Sequence, residues 1–310
     1  MRPIALLGPQ RHQPIVSKVV DRLAGSGPLA VVTAGWQERE EELDELAQHV
    51  RRPVTNLLLH ARAEQFFIEE PELFEALRDR QNLLKQLQQL HRLRLDFVLE
   101  PARKLLHRKS SSPMLEEEQA SAIAAVRALD DHHAEQLKRQ HDAFEARWGE
   151  ALDEALAGHR RELAEILDGS AALAIAGGHV AVLLNRLRLF RVLDLLGDQP
   201  IIAWSAGAMA LAERVVLFHD RPPQGAGNAE ILDLGLGIAH GIQPLPHAEA
   251  RLQLDDPVRV SLLARRLAPA ACIALDTGSS IFWDGDSWTA GPGTRQLQRT
   301  GEVEVLEAVA

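Results

Sequence analysis

Short apolar segments alternate with amphipathic segments along the first 65 residues of the chain. Ile4–Leu7, 29–33 and 54–59 are apolar runs bounded by Gly, Pro or polar residues, which is typical of buried parallel strands. The intervening stretches 14–24 and 38–50 have the polar and apolar spacing of helices. This alternation of strand and helix predicts an α/β fold with a doubly wound, mostly parallel sheet.

Residues 66–167 follow a different pattern, with few Gly or Pro residues and many Leu, Ala, Glu, Arg and Gln residues. Their apolar positions recur at helical spacing and predict two long helices, an antiparallel hairpin inserted between the third and fourth strands. Ser112, followed by proline, is a typical start for the second helix, which would run to Asp168 over about 80 Å. Such a helix must project from the α/β domain, which then comprises 1–65 and 168–310.

The apolar stripe expected along this hairpin has two interpretations. The first is a docking arm through which the protein forms a homo-oligomer, a dimer in the simplest case. The second is a self-contained hairpin that packs only on itself. His132, His133 and His141 lie on the second helix, but no cysteine and no clear carboxylate set accompanies them, so we expect no metal site there.

A serine follows the fifth apolar run, at a sharp break in the pattern. Residues 200–204 predict a strand, Ser205 comes next with Ala206-Gly207 after it, and a helix is predicted over 209–216. A serine between small residues at a strand-to-helix turn is the pattern of a nucleophile elbow. The alternative is a buried serine in an ordinary strand-to-loop turn.

Other residues suited to hydrolytic chemistry lie before and after this motif in the chain. The fourth apolar run ends in Gly177-Gly178, and glycines at that place let backbone amides face a ligand. Asp220 lies 15 residues after Ser205, and His247 lies in a loop that prolines stiffen. The chain order is therefore a glycine pair, a serine, an aspartate and a histidine.

These motifs together resemble the dipeptidase E and cyanophycinase family of serine peptidases. The resemblance lies in the Trp-Ser-Ala-Gly-Ala segment around Ser205, the preceding glycine pair, Asp220 and the Pro-His pair at His247. It covers roughly 1–65 and 168–310 of this chain. It implies a flavodoxin-like, three-layer α/β fold related to that of class I glutamine amidotransferases.

The resemblance also implies roles for individual residues. Ser205 corresponds to the nucleophile and His247 to the general base and acid, while Asp220 lies near the place of the triad acid. The amides of Gly178 and Ala206 would form the oxyanion hole.

Two departures from the family pattern leave alternatives open. His179 follows the glycine pair where the family usually has Asn or Asp, and it is either a donor to a substrate carboxylate or a packed loop residue. Glu249 has the His-x-Glu spacing of the glutamine amidotransferases relative to His247, and it is the alternative triad acid. Those enzymes require a cysteine nucleophile, whereas the single cysteine here, Cys272, lies in another apolar run and is expected in the core.

The implied reaction is hydrolysis of a peptide or isopeptide bond in a small substrate, without a metal or another cofactor. Members of the family that the chain resembles act on dipeptides beginning with Asp or on β-linked aspartyl-arginine polymers. Arg251 is the candidate cation for such an acidic substrate. The alternative is a non-catalytic scaffold of the same fold that binds a partner through its helical arm.

Composition narrows the partners and the location. The chain has 310 residues, 46% of them hydrophobic, which is enough for one large or two smaller domains. Its net charge of −10 argues against binding to nucleic acid. No segment approaches the roughly 20 apolar residues of a membrane span. A single cysteine fits a reducing, cytoplasmic location.

Overall fold

The computed structural model describes residues 2–108, 112–218 and 227–308. The strands are β1 (Ile4–Leu7), β2 (Leu29–Val32), β3 (Val54–Asn56), β4 (Ala172–Ile175), β5 (Ile201–Trp204), β6 (Arg214–Leu217), β7 (Glu230–Leu234), β8 (Ile242–Pro246), β9 (Ala271–Leu275), β10 (Ser280–Trp283), β11 (Trp288–Ala290), β12 (Arg295–Leu297) and β13 (Val303–Val305). The helices are α1 (Val16–Leu23), α2 (Asp44–Val50), α3 (Leu59–Glu69), α4 (Pro71–Leu106), α5 (Pro113–Ala155), α6 (Ala157–Asp168), α7 (Val180–Leu189), α8 (Ala206–Leu211), α9 (Ala248–Arg251) and α10 (Pro257–Arg266). Short 3₁₀ helices cover Ala34–Arg39 and Val192–Leu195.

The central sheet has seven strands in the order β11-β10-β1-β5-β4-β2-β3. The five neighbouring strands β1-β5-β4-β2-β3 are parallel to one another, whereas β10 pairs antiparallel with β1 and with β11. Strands β1, β2, β4 and β5 are buried along their whole length, because alternate side chains enter apolar cores on the two faces of the sheet. The prediction of an α/β fold with a mostly parallel central sheet is confirmed.

A second sheet carries the C-terminal part of the chain. Its strand order is β13-β12-β9-β8, with β8 and β9 parallel to each other. Strands β6 and β7 form a separate antiparallel pair. Helix α8 starts at the end of β5 and packs against β8, so it links the central sheet to the second one.

Two of the predicted helices differ from the structure. The helix predicted over 209–216 ends at Leu211, where the next residue is extended with ψ 170°. Val215 and Val216 lie instead in β6, because β-branched side chains pack well on a pleated strand. The helix predicted over 113–168 is interrupted at Leu156, whose backbone (φ −93°, ψ 0°) separates α5 from α6.

Helices α4 and α5 pack together as the predicted hairpin between β3 and β4. The expectation that this hairpin projects from the α/β domain because of its length is wrong for much of it, since α4 and α5 both pack against α10 and β7. Within the described residues, every helix is too short or too polar to cross a membrane.

A buried ion pair fastens the hairpin to α10. Asp130 of α5 accepts two hydrogen bonds from Arg266 of α10, at 2.6 and 2.8 Å, and both side chains are almost fully buried. His91 of α4 lies 3.0 Å from Asp130 through Nε2, and its ring stacks on that of His133. Burial by itself raises the pKa of Asp130, but the hydrogen bonds from Arg266 and His91 outweigh it and hold the pKa below its ordinary value. The Asp130 carboxylate of α5 therefore links α4 and α10 through these hydrogen bonds.

We expect Asp130→Ala to lower the free energy of unfolding by about 3–5 kcal/mol, because it leaves the Arg266 guanidinium buried without its carboxylate. The neighbouring Asp131 is the matched control: its side chain is 57% exposed in a surface pair with Arg214, so Asp131→Ala should cost no more than about 1 kcal/mol. Urea denaturation followed by circular dichroism measures both values. Equal losses in the two variants would contradict the structural role given to Asp130.

Candidate active site

Ser205 occupies the turn between β5 and α8. Its backbone (φ 51°, ψ −119°) is a conformation that non-glycine residues rarely adopt, at a cost of about 1–3 kcal/mol. Its N–H donates to the Leu7 carbonyl of the adjacent strand β1 at 3.3 Å. The helix that follows lies so close to β4 that a Cβ on Gly207 would overlap the carbonyl oxygen of Ile175. A strained serine followed by a sterically required glycine is the geometry of a nucleophile elbow.

The glycine pair after β4 lies against this turn. A Cβ on Gly177 would lie 2.8 Å from the Cβ of Ser205, so the two segments are in direct contact. Gly178 has φ +112°, and a Cβ there would overlap the carbonyl oxygen of Gly35, which follows β2. Among the described residues no protein acceptor takes the amide hydrogen of Gly178 or of Ala206. Both amides are therefore available to a ligand oxygen.

The sheet topology accounts for this position. Strands β2 and β4 are neighbours, but β2 leads to β3 on one side and β4 leads to β5 on the other. Such a switch point opens a crevice beyond the carboxyl ends of the strands, where open α/β sheets bind their ligands. The segments after the two strands meet there, because the His179 N–H donates to the Gly35 carbonyl at 2.7 Å.

His247 follows β8 in the second sheet. Its backbone is left-handed (φ 58°, ψ 34°), and its N–H donates to the Leu275 carbonyl at the end of β9, at 3.0 Å. Burial, and then the positive charge of Arg251, lower the pKa of His247 below its ordinary value, while Asp276 acts in the opposite direction. The lowered pKa favours the neutral imidazole, which is the form that a general base requires.

The structure places Ser205 and His247 on adjoining elements. Helix α8 begins directly after Ser205 and packs against β8, which ends directly before His247. Within the described residues no hydrogen bond joins the Ser205 hydroxyl to the His247 ring. Contacts between a nucleophile and its base are often long in the free enzyme and shorten when substrate binds.

Three carboxylates are candidates for the acid of a catalytic triad. Asp220, the first candidate from the sequence, lies outside the described residues. The carboxylate of Glu249, the second candidate, is 76% exposed and lies 3.5 Å from Arg295. Asp276 was missed in the sequence, although it directly follows an apolar strand as His247 does, and the parallel pairing of β8 with β9 places the two residues side by side.

Arg251 and His179 are the candidate substrate-binding side chains. Arg251 ends the short helix α9, is half-buried, and has its pKa lowered by that burial. Its guanidinium has no ion-pair or hydrogen-bond partner in the part of the chain that the structure describes, so it can bind an anion. His179 is exposed, and its Nδ1 accepts a hydrogen bond from the Val182 amide at 3.3 Å, so it caps the start of α7.

Other candidate ligands and nucleophiles are engaged elsewhere. Among the residues described, no three His, Cys, Asp or Glu side chains are grouped so that they could hold a metal ion. The ring of His133 contacts the Ile231 carbonyl at 3.2 Å, and that of His141 contacts Asp233 at 2.8 Å. Cys272 lies in the core as predicted, and burial raises the pKa of its thiol to about 12, which makes it a poor nucleophile.

Two solved structures are similar to this chain over nearly its whole length. A peptidase from an acI-B1 actinobacterium has 13% sequence identity and a TM-score of 0.48, with 100% of this chain and 96% of that chain covered. A candidate Peptidase E protein from Listeria monocytogenes EGD-e has 10% identity and a TM-score of 0.45, with 96% and 100% covered. No family model and no curated protein matches the sequence. Similarity at this level carries no argument about the reaction, which depends on the geometry of the site.

We expect Gly178→Ala to slow the reaction of Ser205 with a fluorophosphonate about 10²- to 10³-fold, because the new Cβ would overlap the Gly35 carbonyl and displace the amide that the family resemblance assigns to the oxyanion hole. The control is Gly158→Ala on α6, where an added Cβ has nothing within 4 Å. Labelling rates and thermal unfolding are measured for both variants. A folded Gly178→Ala protein that is labelled as fast as the wild type would contradict the placement of the oxyanion hole.

Proposed function

We propose that the protein is a serine hydrolase that cleaves a peptide or isopeptide bond in a small substrate. The observation that carries the proposal is the strained backbone of Ser205, held against the glycine pair at the switch point of the sheet. Strain of this kind persists only where the surrounding structure enforces it, and it concentrates at functional sites.

The proposed roles follow from the chemistry of acyl transfer. The Ser205 Oγ attacks the substrate carbonyl carbon while His247 takes the hydroxyl proton, and the amides of Gly178 and Ala206 stabilise the oxyanion. The C–N bond then breaks, and His247 returns the proton to the departing amine. Water, deprotonated by His247, hydrolyses the acyl-enzyme and releases Ser205. A carboxylate keeps the imidazole in the required orientation.

The strand order supports the finer fold assignment that the sequence resemblance implies. When β2 is counted as strand 1, the neighbouring strands β3-β2-β4-β5 have the order 2-1-3-4. This order matches the first four places of the flavodoxin-like order 2-1-3-4-5. The fifth place belongs to β1, which comes first in the chain. We therefore propose a flavodoxin-like fold related to that of class I glutamine amidotransferases, with the hairpin inserted.

The proposed substrate carries a carboxylate near the scissile bond, as in an aspartyl dipeptide or a cyanophycin-like isopeptide. Arg251 supports this choice, because it is a half-buried cation close enough to His247 to lower its pKa and has no partner among the described residues. A guanidinium binds a carboxylate through two parallel hydrogen bonds.

We expect Ser205→Ala to abolish both fluorophosphonate labelling and hydrolysis, because no other described serine lies at an elbow beside a glycine pair. The variant should keep its stability, since it removes one oxygen from a small side chain. Ser287→Ala, in the exposed turn before β11, is the control and should be labelled like the wild type. Hydrolysis is assayed on aspartyl dipeptides and on the matching asparaginyl dipeptides, which lack the charge that Arg251 would bind.

The outcomes separate the hydrolase from the scaffold alternative. Labelling that depends on Ser205, with faster cleavage of the aspartyl substrates, supports the proposal. A folded wild-type protein that is not labelled contradicts it and favours a scaffold that acts through the hairpin.

A specific observation favours a second role for the hairpin in self-association. Four large apolar side chains are exposed on the outer face of α4: Leu83, Leu90, Leu93 and Phe97. Their spacing follows the a and d positions of a heptad repeat. Residues 71–79 carry three acidic and one basic side chain, whereas 92–104 carry four basic and two acidic ones. We propose that a second copy of the chain covers this face with its own α4 in the antiparallel direction, so that the oppositely charged ends meet.

We expect the double variant Leu90→Glu, Phe97→Glu to be monomeric in light scattering after size exclusion, where the wild type is a dimer, because each copy would bury two carboxylates. Val305→Glu, at an apolar position that is exposed elsewhere, is the control and should stay dimeric. A monomeric wild type would contradict the proposed interface.

A further inference from the structure

Two residues share a backbone conformation that belongs to glycine. Among the described residues, six non-glycine residues have a positive φ. Four of these lie in the left-handed helical region, with ψ between 31° and 43°: Arg51, Leu58, Arg191 and His247. The other two are Gln37 (φ 59°, ψ −123°) and Ser205 (φ 51°, ψ −119°). Their angles are those of the first central residue of a type II′ turn, where a Cβ is strained and glycine dominates.

Both residues follow strands that flank β4. Gln37 lies in the 3₁₀ segment after β2 and Ser205 lies directly after β5, while β4 and its glycine pair run between those two strands. Gln37 comes two residues after Gly35, whose carbonyl accepts the His179 N–H and lies against Gly178. The glycine pair therefore has the nucleophile turn on one side and the segment of Gln37 on the other.

The side chain of Gln37 is not needed for the turn that it occupies. The turn itself is closed by the backbone, because the Gln37 carbonyl accepts the Glu40 N–H at 2.9 Å. The carboxamide is half-buried and has no hydrogen-bond partner within the ranges that the structure describes. A glycine would adopt the same angles without strain. Strain of this kind concentrates at functional sites, which points to a ligand for the carboxamide.

The surroundings of Gln37 favour a neutral ligand group. The buried Glu40 carboxylate accepts N–H groups at the start of α3, Arg39 pairs with Glu42, and Glu38 is exposed. The nearest charges therefore have partners or lie at the surface. A carboxamide is itself neutral, with an acceptor oxygen and a donor NH₂ group. A peptide unit carries the matching N–H and C=O, so the two groups can pair through two hydrogen bonds.

We propose that Gln37 is a specificity residue that binds a peptide unit of the substrate beside the scissile bond; the inference rests on the proposed function. Strands β2 and β5 are two places apart, which corresponds to about 10 Å, or about three extended residues. A substrate whose scissile carbonyl lies at the amides of Gly178 and Ala206 can therefore extend a neighbouring peptide unit to Gln37. Its carboxylate would bind Arg251 on the side of His247. Such a site favours a substrate longer than a dipeptide.

The experiment compares kcat/KM for an aspartyl dipeptide with that for two extended forms, one N-acetylated and one lengthened by a residue at its carboxyl end. We expect the wild type to cleave an extended form more efficiently than the dipeptide. Gln37→Ala and Gln37→Gly both remove the carboxamide, and each should lower this preference about 10- to 100-fold by the loss of two hydrogen bonds. The extension that is affected identifies the side on which the peptide unit binds. Gln37→Gly also relieves the strain, so it should unfold at a higher temperature than Gln37→Ala.

Arg51→Gly is the matched control. It also replaces a residue of positive φ by glycine, but it lies between α2 and β3, at the amino end of that strand and away from the crevice. This variant should keep the wild-type preference. An unchanged preference in Gln37→Gly for both extended forms overturns the proposal, and so does a wild type that prefers the dipeptide.

A separate readout distinguishes this inference from the proposed function. A wild type that no fluorophosphonate labels and that cleaves none of these peptides overturns the hydrolase assignment. Calorimetry with the same uncleaved peptides then tests Gln37 by itself. Weaker binding of an extended peptide to Gln37→Gly than to the wild type supports the peptide-binding role, and equal affinities overturn it.

Discussion

The close approach of three strand ends is the constraint on which the candidate site depends. The segments after β2, β4 and β5 touch at backbone distance, so that side chains at Gly35, Gly178 or Gly207 would overlap neighbouring carbonyl oxygens. This packing holds Ser205 in a conformation that an isolated turn would leave, because relaxing it would require the surrounding buried strands to move. The cost of the strain is met by the apolar cores on both faces of the sheet.

The hairpin is tied to the same framework through buried charges. Asp233 of β7 binds Arg188 at 2.6 Å and His141 at 2.8 Å, and Arg188 lies near the end of α7, the helix that begins just after the glycine pair. Together with Asp130 and Arg266, this group anchors a helix of 43 residues at two points along its length. Buried ion pairs contribute little net stability but strongly penalise misplacement, so they define where the hairpin lies.

Neighbouring charges shift the pKa of His247 in opposite directions. Burial and Arg251 favour the neutral imidazole needed to accept a proton, and Asp276 favours the imidazolium that forms once the proton is accepted. Arg251 would lose its effect on His247 in part when a substrate carboxylate binds to it, because the two charges then offset each other. If Arg251 binds the substrate as proposed, this guanidinium would couple substrate binding to the basicity of His247.

The local pattern was enough to predict the parallel strands, the helical hairpin and the serine at the end of β5, since period, glycine placement and chain order are properties of short segments. It misjudged the run after Leu211, where Val215 and Val216 find a partner strand in β7 that lies beyond the local sequence. Asp276 was missed for a related reason: its nearness to His247 comes from the pairing of β8 with β9, and 29 residues separate the two in the chain. Local sequence is therefore enough to identify the chemical groups that are available. Which of these groups meet follows only from the folded chain, because contacts between strand ends depend on sheet order and register.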